Sequence, residues 1–322
     1  MRGRGGARGA RGGRAPSAPW SRLKPVELDP LEAIGLPSKG DNRLLDFKTQ
    51  ERYYTKIVER YMTFCSDAGE RDELLRRFAS LELSTSSAKH PIPAQLNPPR
   101  PHPKHAVSDS IIPPLPHPSS NLTVNTKGLT DVLAALRKLR EGIVASKRAD
   151  DFAIQAYLFC IRLSVLVKHP ESYHPAILHL LRRIQPKHPM TSVETNEVVS
   201  YLVLDTACRR MDLAEAYALR YRYQLKDQKV DGVLKSLSHD NYVLFLRVRR
   251  SVDGYKAKLL EYAEDGVRKH LLKCFGRSYL SVDLEFLEKC AGVNWMNLIS
   301  KDGVGWELEG GKVVIRKVKK AR

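Results

Sequence analysis

The chain has 322 residues, 42% of them hydrophobic and 28% charged, with a formal net charge of +18. No stretch approaches the roughly 20 uninterrupted apolar residues that a membrane span needs, so a soluble chain with no membrane partner is expected. The charge sits mainly at the two ends: thirteen of the 54 cations lie before Glu27 or from Lys312 onward, leaving 41 against 36 acids, an ordinary surface balance.

Residues 1–43 open with Arg-Gly repeats and continue through proline-punctuated sequence. Such a stretch buries too little apolar area to offset its chain entropy, and a disordered tail is expected. Arg2, Arg4, Arg8, Arg11 and Arg14 are candidate RNA contacts, because guanidinium groups pair with phosphate and stack on unpaired bases while glycine lets them follow a strand. The bland alternative is a solubilising tail. Residues 44–83 predict a helical hairpin carrying Tyr53, Ile57, Tyr61, Leu74, Phe78 and Leu81, with a turn near Asp67-Ala68-Gly69. Residues 84–121 are rich in Pro, Ser and His and read as an extended linker. His90, His102, His105 and His117 are too irregularly spaced there for a metal set.

From residue 122 to 278 the pattern predicts a right-handed array of helices with short connections. Leu129, Val132, Leu133, Leu136, Leu139 and Ile143 recur at steps of three and four. Residues 151–167 are apolar nearly all round and predict a central buried helix. Pro175 is placed in a helical first turn, and Thr191-Ser192-Val193-Glu194 predicts a capping box. Asp212 is expected to open a helix, Asp205 to lie exposed or to cap, and Asp253-Gly254 to stop a helix.

Residues 279–317 change character. An extended piece at Tyr279-Leu280-Ser281, helices over 282–291 and 293–302, and strands over 306–309 and 312–317 about Gly310-Gly311 give the order of a winged helix. Tyr279, Leu284, Leu287 and Trp306 are its expected core. Val313, Val314 and Ile315 are expected to form an edge strand open to a partner. Arg316, Lys317, Lys319, Lys320 and Arg322 are candidate phosphate contacts, the last three in a basic tail over 318–322. The second helix carries Asn294 and Asn297 but a single cation, Lys301, which argues against base reading in a DNA groove.

The five cysteines are scattered without a CxxC pair and the start lacks an apolar signal region, so an intracellular location, nuclear or cytoplasmic, is expected. No phosphate-cradling glycine loop, nucleophile elbow or metalloprotease motif occurs, and His270 stands on a helix without a partner pattern. The chain is therefore expected to be no enzyme, with no cofactor, metal or small-molecule substrate.

A mainly α chain whose helical array feeds a long helix and then Tyr279-Leu280-Ser281-Val282, Leu284, Leu287, Gly305-Trp306 and Val313-Val314-Ile315 resembles the PCI-domain family. That family supplies subunits of the proteasome lid, the signalosome, translation initiation factor 3 and messenger RNA export complexes, and the chain is most similar to its small-subunit group. The resemblance implies a scaffold subunit whose winged helix and helical repeats dock other PCI-type subunits. The alternative is an RNA- or DNA-binding adapter in messenger RNA processing, export or translation.

Overall fold

The computed structural model describes residues 29–68 and 121–317. The Arg-Gly repeats, the expected second helix around Leu74–Leu81, the histidine tract and residues 318–322 lie outside them. The described chain is mainly helical. In order it forms α1 (Phe47–Ala68), α2 (Asn121–Ala145), α3 (Asp151–Leu166), α4 (Pro170–His179), α5 (Ser192–Leu204), α6 (Leu213–Arg222), α7 (Gln228–Ser238), α8 (Tyr242–Arg249) and α9 (Gly254–Ser278). Then follow β1 (Ser281–Asp283), α10 (Leu284–Ala291), α11 (Trp295–Ser300), β2 (Glu307–Glu309) and β3 (Lys312–Val314). Single π turns, Leu180–Ile184 and Asp205–Arg209, extend α4 and α5.

Most helices start where a short polar side chain replaces a missing partner for the first-turn amides. Asp150, Asp212, Asp227, Asn241 and Asp253 all accept from such amides. The capping box is formed in full: Glu194 N donates to Thr191 Oγ1 at 3.3 Å and Thr191 N donates to Glu194 Oε2 at 3.0 Å. Asp253 therefore opens α9 rather than stopping α8. Pro170, not Pro175, occupies the first turn of α4, and Pro175 lies inside the helix. Several helices end on a residue in the left-handed region that is not glycine: Lys147 (φ 53°), Lys168 (φ 48°) and Gln224 (φ 51°). Each is held by the paired backbone bonds that close a helix in this way, for example Lys147 N to Val144 O at 3.1 Å and Arg148 N to Ile143 O at 3.2 Å.

Two expected boundaries are corrected. Residues 29–43 were expected in the tail, yet they pack on the helices. Leu31 is buried, its carbonyl accepts from Tyr53 Oη at 2.9 Å and Lys138 Nζ at 3.0 Å, and Arg60 pairs with Asp29. The helix before the expected linker is also not a separate unit. Tyr53, Ile57 and Phe64 of α1 share one core with Leu129, Leu136 and Ile143 of α2. Gly142 permits the closest approach, since a Cβ there would stand 2.7 Å from Leu44 Cβ and 2.8 Å from its carbonyl oxygen. Arg148 locks the junction. It is almost fully buried, and its guanidinium reaches Asp150 at 2.7 Å, Glu51 at 2.6 Å and the Phe47 carbonyl at 3.1 Å, between the rings of Phe47 and Phe152.

A second core gathers Leu271, Leu272 and Phe275 of α9 with Val282, Leu287, Ala291, Leu298 and Val313. The 25-residue α9 contributes Leu259, Leu260 and Ala263 to the first core and its C-terminal half to the second. At 1.5 Å per residue it is a strut of about 37 Å. Arg268 on α9 pairs with the buried Asp302 at 2.9 Å and so fixes the end of α11 against the strut.

Candidate docking site at the C-terminal sheet

The sheet has the order β1-β3-β2 with both pairs antiparallel. Its hairpin closes on Gly310 (φ 55°) and Gly311 (φ 83°), two consecutive left-handed positions that suit the expected glycine pair. This topology corrects one expectation: β3 is the central strand. Ile315 N donates to Leu280 O at 2.8 Å and Leu284 N to Gly311 O at 3.1 Å. With Val282 opposite Val313, alternation then directs the backbone groups of Val313 toward β1 and those of Val314 toward β2. Val313, Val314 and Ile315 hold the sheet together and offer no free ladder. The physical reason is that the hairpin returns between its own first strand and β1, which fills both sides of β3.

The edges are β1 and β2. In β2, Glu307 and Glu309 turn their backbone groups inward to β3, and Leu308 turns its amide and carbonyl outward. All three β2 residues are exposed. The strand is short and flanked by carboxylates, devices that keep an edge from pairing indiscriminately.

Of the expected core residues, Leu287 is fully buried, while Leu284 and Trp306 pack partly buried against the second core. Trp306 lies over Gly276, where an added Cβ would stand 3.7 Å from its ring. Tyr279 is corrected: it is exposed at the C-terminal cap of α9, and its ring leans on Phe275 with centroids 5.1 Å apart. Leu280 and Phe286 are also exposed, and Phe286 lies 6.1 Å from Phe275, so Phe275 carries an aromatic rim on two sides.

The two described basic candidates are engaged within the chain. Arg316 donates to the Arg277 carbonyl, and Lys317 Nζ bridges Glu307 and Glu309, which raises its pKa through those two hydrogen-bonded carboxylates. Both are exposed, and contacts of this kind exchange readily for others. Arg2, Arg4, Arg8, Arg11, Arg14, Lys319, Lys320 and Arg322 lie outside the described residues.

Helix α11 has the geometry of a presented face. Asn294 caps it by accepting from Asn297 N at 3.1 Å, which removes one of the two asparagines from any base-reading role. Leu298 anchors it in the core, while Met296 (69% exposed) and Ile299 (42%) project at a spacing of three. No cation lies between Asn294 and Ser300. Neither Met296 nor Ile299 is among the expected site residues, although their offset from Leu298 is a signal present in the sequence.

A second omission is Asp205, expected to be exposed or capping and in fact fully buried. Its carboxylate accepts from Tyr173 Oη at 2.6 Å and from Arg209 Nε and Nη2 at 2.6 and 2.8 Å, with His174 Nδ1 3.3 Å away. Burial, reinforced by Asp205, pushes the Tyr173 hydroxyl far above its ordinary pKa. The group is a knot joining α4 to the end of α5. Arg209 four residues after an acid in an apolar helix was its sequence signal.

Among the described residues no cluster of three or more His, Cys, Asp or Glu side chains could hold a metal ion, and no helix is long and apolar enough to cross a membrane. No family model and no curated protein matches the chain.

Proposed function

We propose that the chain is a non-catalytic assembly subunit of the PCI type. In this reading β1, α10, α11, β2 and β3 form a winged helix at the end of a right-handed helical array, and α9 couples the two. The docking surface is the face of α11 together with the outer edge of β2. Partner subunits of the same class bring a complementary strand and an apolar pocket. The Arg-Gly tail adds contact to RNA, and the setting is intracellular.

The observation that carries the reading is the composition of α11. Met296 and Ile299 are exposed where a DNA reader would carry cations and free amides. Exposed apolar side chains on a polar-rimmed element mark protein contact. The outward backbone groups of Leu308 supply the means of adding a strand.

The full chain carrying Met296→Asp and Ile299→Asp, purified from cells beside the wild type, tests this. At matched helical circular dichroism, the variant should lose the subunits that co-purify with the wild type and keep its RNA. A folded variant that keeps those subunits and loses nucleic acid would make the module a nucleic-acid reader. Leu308→Pro removes only an outward-facing donor and should weaken the same association. Val314→Pro would instead cut the centre of the sheet.

A further inference from the structure

The positive charge of the fold is concentrated in one region. Residues 121–190 carry eleven cations and five carboxylates. Two other grooves pair their cations with acids: Arg249 with Glu264 in one, Arg162 with Glu197 and Lys256 with Asp227 in the other. The groove between the C-terminal end of α2 and the outer face of α4 differs. Its volume is about 310 Å³, and it is lined by Lys147, His179, Arg183 and Lys187 with no carboxylate among its walls.

Its construction is specific. His179 ends α4 and Arg183 lies four residues on in its π turn, while Lys187 follows in the turn beyond it and lines the same groove. Lys147 faces them from the end of α2, held in the left-handed conformation that glycine fills at lower cost. Lys147, Arg183 and Lys187 make no ion pair among the described residues. The His179 ring stacks on Tyr157, centroids 5.2 Å apart, and its Nδ1 is buried without a hydrogen-bond partner. Burial, with Arg183 and Lys187 along the groove and Arg140 from α2, holds the His179 imidazole below the usual histidine range. A field that repels a proton attracts an anion.

We propose that this groove seats a phosphate group, with Lys147, Arg183 and Lys187 as its charge partners and His179 at its floor. Two guanidinium or ammonium groups facing a third across a cleft suit an oxyanion with several acceptor oxygens. The volume, at the small end of ligand sites, fits a phosphate with its attached sugar. The source is either the phosphodiester of an RNA strand or a free phosphate monoester. The inference does not depend on the assembly reading, because none of these residues belongs to the C-terminal module.

The test follows the His179 imidazole by nuclear magnetic resonance in the full chain, assigned with His179→Gln. Inorganic phosphate is titrated in at constant ionic strength held by sodium chloride. Phosphate should raise the His179 midpoint, since a bound anion offsets the neighbouring cations. Arg183→Ala and Lys187→Ala should each weaken phosphate about threefold to tenfold. Lys147→Gly separates binding from folding, because relief of the left-handed backbone should raise Tm while the lost ammonium weakens phosphate. A six-nucleotide oligoadenylate identifies the source. Tighter binding with the same dependence on the three cations assigns a phosphodiester strand, and a response to phosphate alone assigns a free phosphate or monoester. A His179 midpoint unmoved by phosphate, or phosphate affinity unchanged in all three cation variants, overturns the proposal.

Discussion

Arg148 and Asp205 are buried charges held by their partners: Arg148 joins the start of α1 to that of α3, and Asp205 joins α4 to the end of α5. Removing one partner of a buried pair leaves the other stranded, which costs about 3–5 kcal/mol. Asp205→Ala should therefore lower the urea midpoint strongly, since Arg209 and the Tyr173 hydroxyl lose their common acceptor. Arg148→Ala should cost less than that, because its carboxylate partners Glu51 and Asp150 are half exposed and stay solvated; its signature is that α1 loosens from α3, visible as faster amide exchange across α1. His179 gives a pH dependence. Its imidazole resists protonation in the folded chain, so below about pH 6.5 the unfolded chain binds the proton first. Stability is then lost as pH falls from that value through the lower folded midpoint. His179→Gln should flatten the fall in urea stability below about pH 6.5.

At the scale of elements, the helix ends carry a reserve of stability. Gln224 sits at φ 51° after α6 and is exposed, and its left-handed backbone is closed by Leu225 N donating to Arg220 O at 3.0 Å. Gln224→Gly should raise stability by about 0.5–1 kcal/mol by relieving the Cβ clash, read as a higher Tm with unchanged helicity. Helix starts were legible residue by residue, because a cap is a local bargain between one side chain and the next three amides. Thr191, Asp212 and the glycine pair at 310–311 needed no tertiary information. Pro175 shows the limit of that legibility. A proline is tolerated where its ring meets no obstruction and the carbonyl left without a partner is satisfied, and the pattern around it could not tell Pro170 from Pro175 as the residue nearer the start.

For the molecule as a whole, the contact between α1 and α2 predicts a behaviour that a separate hairpin would not show. A chain cut between Ala68 and Asn121, at a site introduced for a specific protease, should elute from gel filtration as one species. The Tyr53, Ile57 and Phe64 side chains and the Arg148 clamp hold the pieces together without the covalent link. Two separate peaks would mean that the shared core is too weak to hold α1. Arg148→Ala in the same cut chain should promote their separation.

By itself the sequence determined what is local: the mainly helical class, the order of elements after residue 121, the caps, the two-glycine turn and the apolar stripes that became Leu129, Leu136 and Ile143 of the core. Periodicity and capping involve neighbours within a turn of chain, so the information lies within a few residues. The tertiary structure alone decided what depends on distant partners. Whether Asp205 faces solvent rests on Tyr173, more than thirty residues away, and whether residues 29–43 fold rests on a helix beyond residue 121. The place of β3 followed the same rule. Val313 is buried as the inward residue of β3, but strand order is set by which chains lie on either side, and β1 fills the edge that the sequence left open.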